Sequence, residues 1–552
     1  MKKMKLHPLL VFGQIAAVTI LLPMILLPLL MVLLRSFQTD GIWRWRAPLE
    51  TLLDPGLVEV YLNSLKLGLW VVAGATLLAF PMAMIMVKTP LRKHRWMEIV
   101  LLVPFMTPPY IGSMGWILFM QPRGFLDQFF PALNFLQPLF FSVFGIVLIM
   151  SLHLFPFLYL LLRNALTEIS GSLEDAGAIH GGSFSYRLRR IILPLLASPY
   201  SMGALLIFVK TISEFGTPAT LGRRVGYYVL TTEIYRYTNS WPIDFGKGAA
   251  IASLLLGTSL LIWAVQTVLS SRYAVQIVSG RNRDARVYLT GFRQWPAWLF
   301  IFSALTLSVG VPYFSIVATS LMNLRGYGLQ LNNLTVSHYQ AILTWGSSGL
   351  EAMLTSFRLS AISATLSLVI GTFIALVVVP SRGFRKGFID ASSILSNTVP
   401  SIVIIVGMIL FWNSPWMPLT IYNTNAMLVL TYTVLFLPFT VQYVKSSREQ
   451  IDATLFQAAR VSGARPFYLF RQILFPLIRP GMVAGWLMTF IISVRELIAS
   501  LMVRPPGLQT TATFIFREFE QGNASLGMAM AVLTVGLTLL VMTLVQMIQR
   551  KV

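Results

Sequence analysis

The chain contains no cysteine. That removes disulfides, thiolate metal sites and cysteine nucleophiles, and leaves the redox compartment open. Charge is scarce and lopsided: 20 Asp and Glu stand against 42 Lys and Arg in 552 residues, a net +22, and only 11% of residues are charged. An ordinary soluble domain carries roughly twice that charged fraction. A nucleotide-binding phosphate loop is also missing. Gly246-Lys247-Gly248 lacks the upstream glycine and the following hydroxyl with which such a loop cradles phosphates and magnesium, so the chain does not bind ATP by that route. No H-E-x-x-H or paired-histidine spacing occurs. His153, inside an apolar run, reads as a packed core residue, and His180 reads as a surface or partner-contact residue.

What is present is apolar. Hydrophobic residues make up 56% of the chain and mean hydropathy is +0.73, values that point to an all-α polytopic membrane protein. After a start bearing Lys2, Lys3 and Lys5, an apolar run covers Leu9 to Leu34. It is too long for a signal-peptide core and lacks a small-residue cleavage site, so we expect it to remain as a spanning helix. Further spans are expected near 62–87, 97–120, 140–162, 195–220 and 246–270, then near 296–321, 354–380, 388–412, 425–444, 477–503 and 525–548. These make about twelve transmembrane helices in two sets of six. The first half is 1–270 and the second 296–552. A basic, polar linker over 271–295 joins them.

The two sets are copies. Ser172 to Pro194, SLEDAGAIHGGSFSYRLRRIILP, and Thr454 to Pro476, TLFQAARVSGARPFYLFRQILFP, keep one constant offset, which also pairs Gly203 with Gly485, Phe208 with Phe490 and Glu214 with Glu496. Ungapped identities over such a stretch mark an internal duplication. Ser172 with Asp175, and Thr454 with Gln457, have capping-box spacing, so a short helix is expected to start at each. Gly181 and Gly463 can end it by taking positive φ without steric cost. A second short helix is expected to stop before Pro194 and Pro476.

These loops resemble the "EAA" loop of inner-membrane permeases of binding-protein-dependent ABC importers. That loop has an E-A-A triplet, a glycine six residues after the Glu, and a closing I-x-L-P. The copies read Asp175-Ala176-Gly177, Gly181 and Pro194, then Gln457-Ala458-Ala459, Gly463 and Pro476; neither keeps the Glu. The resemblance implies that each loop is a coupling helix docking on a cytoplasmic ATPase. An ABC ATPase dimer would bind the ATP and magnesium, this chain would carry no cofactor, and a solute-binding protein would dock outside. It also implies a bacterial cytoplasmic (inner) membrane location and no enzymatic activity in this chain.

Basic residues fall mainly in alternate loops: Lys88, Lys93 and Arg95; Arg187, Arg189 and Arg190; Arg281, Arg283 and Arg286; Arg382, Arg385 and Lys386; Arg465 and Arg471. Positive-inside bias and anionic lipid explain this charge without nucleic acid, and place both termini and both duplicated loops in the cytoplasm. An even number of spans per half makes the halves parallel, related by a pseudo-two-fold axis along the membrane normal.

Ionisable groups at bilayer depth cost about 2.5–3.5 kcal/mol or more and usually face a cavity. Glu214 and Glu496 are the sharpest pair. At about 1.5 Å per residue, Glu214 lies about 30 Å along the helix from Pro194, in the outer half of the bilayer or at its rim. One reading makes them a translocation-path or outer-gate pair together with Ser213, Phe215 and Arg495. The other pairs Glu214 with Lys210 and Glu496 with Arg495 as packing ion pairs. Lys66 and Arg358 are expected to snorkel to the outer interface. The segments Ser213-Glu214-Phe215-Gly216-Thr217-Pro218 and Arg495-Glu496-Leu497 with Arg504-Pro505-Pro506-Gly507 are similar to the two halves of fused ferric-iron permeases. That implies ferric iron as the solute, with phosphonate, thiamine and polyamine permeases as related alternatives and the metal ligands unspecified. Oxygen ligands suit a hard cation, whereas Lys210 and Arg495 suit an anion. An ion-coupled secondary transporter is the rival class, since it too has twelve spans in parallel halves.

Overall fold

The computed structural model describes residues 8–39, 42–272, 294–381 and 383–550. The linker expected over 271–295 falls, except at its edges, outside the described residues. The first half contains α1 (Leu10–Arg35), α2 (Pro55–Lys88), α3 (Arg95–Met106), α4 (Pro109–Met120), α5 (Val143–Glu168), α6 (Gly171–Ile179), α7 (Leu193–Ser213), α8 (Gly216–Thr220), α9 (Leu230–Asn239) and α10 (Phe245–Arg272). The second contains α11 (Trp295–Ser320), α12 (Ser348–Val378), α13 (Gly383–Thr398), α14 (Ser401–Trp412), α15 (Asn425–Glu449), α16 (Ala453–Val461), α17 (Phe475–Val494), α18 (Ile498–Val503), α19 (Thr511–Glu520) and α20 (Ala524–Arg550).

Ten helices among the described residues are long and apolar enough to cross a bilayer, or eleven if one bent pair counts as a span. The shortfall from twelve lies in the third span of each half. Where single helices were expected over 97–120 and 388–412, the chain forms α3 then α4, and α13 then α14, the latter pair bent by 110°. Each break sits at a proline, Pro108 (φ −57°, ψ 134°) and Pro400 (φ −53°, ψ 133°). A proline forces the residue before it out of the helical region, and the next helix starts directly after it.

The chain forms two compact units. One comprises Asp54–Glu233 and Gly257–Thr335, and at its centre α2 runs along α5 while α7 packs on both. The other comprises Met1–Leu53, Ile234–Leu256 and Val336–Val552, with α12, α15 and α17 packed on one another. The seam of α12 is a stripe of small residues, Ser356, Ser360, Ser363 and Ser367, all buried. Small side chains let membrane helices approach closely, and the hydroxyls add bonds across the seam. Ser363 donates to the Val429 carbonyl at 3.0 Å.

Each unit also holds the first spanning helix of the other sequence half. The Leu27–Arg35 stretch of α1 lies on α14, and the Val311–Ser320 stretch of α11 lies on α4. Glycine makes both contacts possible. A Cβ on Gly407 would sit 2.5 Å from the Pro28 carbonyl oxygen, and one on Gly115 would sit 2.6 Å from that of Pro312. No side chain fits against backbone at that distance.

Among the described residues four single π-helical turns interrupt the helices, at Leu22–Leu26, Leu188–Ile192, Thr306–Gly310 and Phe470–Leu474. Each ends two residues before a proline: Pro28, Pro194, Pro312 and Pro476. The widened turn moves the ring away from the carbonyl it would strike and removes the demand for an N–H that proline lacks. The helices expected to stop before Pro194 and Pro476 therefore run through them into α7 and α17.

Candidate functional site

The duplicated loops fold alike. α6 is followed by Gly181 at φ +78°, and α16 by Gly463 at φ +79°. The Gly182 N–H reaches back to the Gly177 carbonyl at 2.9 Å, and the Ala464 N–H to the Ala459 carbonyl at 3.0 Å. Both are the six-to-one closure of a helix ended by a left-handed residue. The helices Phe184–Arg187 and Pro466–Leu469 then lead through the π turns into the membrane. The starts differ from expectation. The cap of α6 is Ser170, which accepts the Ser172 N–H at 3.3 Å, and the cap of α16 is Asp452, which accepts the Thr454 N–H at 2.9 Å. Each cap lies two residues before Ser172 and Thr454, because an equally competent capping residue stands upstream of both. The Thr454 N–H holds the exposed Asp452 carboxyl below the usual aspartate range.

Of the sequence-predicted loop residues, Ala176, Gly181, Pro194, Gln457, Ala458, Gly463 and Pro476 are exposed, while Asp175, Gly177 and Ala459 are half-buried. More telling are apolar residues that motif reading passed over. Ile179 is 82% exposed and its counterpart Val461 is 90% exposed, each at the last position of its helix. Leu173 and Leu455, and Tyr186 and Tyr468, are exposed at matching positions as well. A position-by-position comparison of the two copies contains this signal. The same apolar set, presented twice on helices with a fixed turn, forms two similar exposed apolar surfaces.

Charged groups fasten the elements beneath. Glu98 and Arg163 pair at 2.8 Å between α3 and α5, and Asp390 and Lys445 pair at 2.6 Å at the matching places on α13 and α15. Acid and base differ between halves, but the pair is kept. Lys88, the last residue of α2, pairs with Glu174 in α6, and both are fully buried. Neither Lys88 nor Glu174 was signalled by the motif, which points to the neighbouring Asp175.

The other paired feature lies at the far ends of α7 and α17. α7 stops at Ser213, and Glu214 takes extended backbone at φ −76°, ψ 135°. Its half-buried carboxylate turns forward and accepts the Thr217 N–H at 3.0 and 3.1 Å, in the first turn of α8. α17 stops at Val494, capped by Arg495, and the Glu496 carboxylate accepts the Ala499 N–H at 3.3 Å in the first turn of α18. Both acids thus hold the free N–H groups of a short helix. Among the described residues no ion pair joins Lys210 to Glu214. Such a pair needs an unbroken helix, and the chain leaves the helix at Glu214. Phe215 is buried, and the Ser213 hydroxyl has no hydrogen-bond partner among the described residues.

In each half the segment after this break lies on the second part of the broken third span, α8 on α4 and α18 on α14. The chain beyond is pinned by a further duplicated device. Ser64 accepts the Leu230 N–H at 2.9 Å, and Ser356 the Thr511 N–H at 2.7 Å, which fixes the starts of α9 and α19. Interrupted helices meeting in this way are how transporters bring backbone polar groups to a path at membrane depth. Lys66 and Arg358 are exposed at matching positions on α2 and α12, and His153 is half-buried in α5. Among the described residues no group of three or more His, Asp or Glu could hold a metal ion.

A family model described as "Binding-protein-dependent transport system inner membrane component" matches the chain twice, over residues 75–275 and 367–552. The chain is 25% identical over 499 residues to the Fe(3+)-transport system permease protein FbpB 2 of Haemophilus influenzae, covering 89% of each chain. It is 23% identical to the ferric transport system permease protein FbpB of Actinobacillus pleuropneumoniae, over 86% of this chain and 68% of that protein. The putative 2-aminoethylphosphonate transport system permease protein PhnV of Salmonella typhi is 25% identical over 43% of this chain and 89% of its own length.

Proposed function

Starting from the fact that the chain belongs to the binding-protein-dependent transport system inner membrane component family, we propose that it is the fused, two-copy permease of an ATP-driven importer of ferric iron. A solute-binding protein delivers the ion outside, and an ABC ATPase dimer docks on α6 and α16 inside. ATP, magnesium and hydrolysis belong to that dimer. Both loops and both termini face the cytoplasm, as the basic-loop pattern requires.

The observation that carries the reading is the pair of coupling surfaces. Two helices, each ended by a glycine with φ near +79° and tipped by a bare Ile or Val, give a two-fold-symmetric engine two equal handles. ATP-driven closure of the dimer draws α6 and α16 together and turns the path outward; nucleotide acts only through its different affinity for the two states. In each half the interrupted segment, at Glu214 or at Glu496, borders the path. Each half thereby contributes one carboxylate, whose oxygens suit a hard cation. Selectivity then rests with the binding protein. Iron is favoured over phosphonate because the iron-permease likeness spans both halves, whereas the phosphonate likeness covers 43% of this chain.

The test is reconstitution of this chain in liposomes with its ATPase and its iron-loaded binding protein, followed by radioactive iron uptake. Uptake should require ATP and all three components. Uptake by this chain alone, driven by an ion gradient, would instead establish the secondary-transporter class.

A further inference from the structure

The two coupling helices look alike on their outer faces, but they are fastened differently. In the first half Glu174 is completely buried and pairs with Lys88, itself 2% exposed, at the inner end of α2. The Arg187 guanidinium also donates to the Glu174 main-chain carbonyl at 3.4 Å. In the repeat register that aligns Gly181 with Gly463, Glu174 becomes Phe456. In the register that aligns Ser64 with Ser356 and Glu98 with Asp390, Lys88 becomes Pro380. The second half therefore cannot make the pair. There Phe456 lies under the guanidinium of Arg448, 4.3 Å from the ring centroid, in the last turn of α15.

We propose that Lys88 and Glu174 are positioning residues forming a rigid strut between the first coupling helix and α2, so that α6 drives its half more stiffly than α16 drives the other. The inference rests on the importer reading above. A buried ion pair resists separation because parting it leaves two uncompensated charges in a dry site. A cation over a half-exposed ring slides at little cost. Movement of α6 therefore carries α2 with it, and α2 packs against α5 and α7. α16 instead pulls first on α15.

The experiment uses the full importer in proteoliposomes, with assembly measured by ATPase co-purifying with the permease. The readout is solute taken up per ATP hydrolysed, which a purely structural contact would not alter once assembly is normalised. Glu174→Gln and Lys88→Met should each lower that ratio about tenfold, within the usual range of coupling between sites. The double reversal Lys88→Glu with Glu174→Lys should restore it. Phe456→Leu in the second half should change it less than about threefold, since that contact transmits less. A normal ratio in Glu174→Gln, no recovery in the reversal, or an equal loss in Phe456→Leu each overturns the strut. If the single variants do not assemble, the reversal decides: assembly with a normal ratio supports the pair, and assembly without it overturns the pair. If the unaltered chain shows no ATP-driven uptake, the importer reading fails rather than the strut.

Discussion

Truncating the two apolar tips should detach the ATPase without harming the permease. Ile179→Ala removes three carbons and Val461→Ala two. At about 0.8 kcal/mol for each buried CH2 these correspond to about 2.4 and about 1.6 kcal/mol of docking energy. The residues sit on separate helices, so the losses should add to about 4 kcal/mol, about a thousandfold rise in Kd. Both side chains are almost wholly exposed in the free chain, so folding loses little. Alanine is the strongest helix former, and exposed substitutions of this kind usually shift stability by no more than about 0.5 kcal/mol. The assay is titration of purified ATPase onto permease in nanodiscs, with thermal unfolding of the permease as control. A double variant that binds within about fivefold of the original would refute the apolar-tip argument, because even one buried methylene is worth about fourfold.

Two further outcomes follow from the packing and the caps. Gly407→Val places carbon against the Pro28 carbonyl, 2.5 Å from where its Cβ would stand; overpacking of this kind costs about 1–3 kcal/mol, so the unfolding midpoint in detergent should fall, and an unchanged midpoint would contradict the close contact of α1 with α14. The depressed carboxyl of Asp452 supports the start of α16 at pH values above its unfolded pKa, and that support is lost as pH falls through its folded pKa; amide exchange at Thr454, corrected for intrinsic rate, should quicken on acidification below the usual aspartate range, and Asp452→Ala should abolish that pH dependence.

Much of this arrangement could be read from residue order alone, and the exceptions have physical causes. The turns at Gly181 and Gly463 were legible because few residues accept positive φ and the spacing repeats. The capping positions were displaced by two residues because Ser170 and Asp452 satisfy a helix start as well as Ser172 and Thr454 do. The breaks at Pro108 and Pro400 were hidden by unbroken apolarity on both sides. Proline alone does not announce a break in such a chain, since Pro81, Pro104, Pro156, Pro438 and Pro480 all lie inside helices. Glu214 and Glu496 stood out as ionisable groups in apolar runs. Their work as helix caps did not, because pairing Glu214 with Lys210 and Glu496 with Arg495 assumes a helix that the chain leaves at each acid. The burial of Glu174 depends on a partner 86 positions away, which no local pattern reports.

Because the chain has no cysteine, one introduced cysteine is a unique label, and Ile179→Cys and Val461→Cys test the central claim directly. In inside-out vesicles both should react with a membrane-impermeant maleimide, in intact spheroplasts neither should, and bound ATPase should shield both. Labelling of the two positions from opposite faces of the membrane, or equal labelling with and without ATPase, would contradict the account.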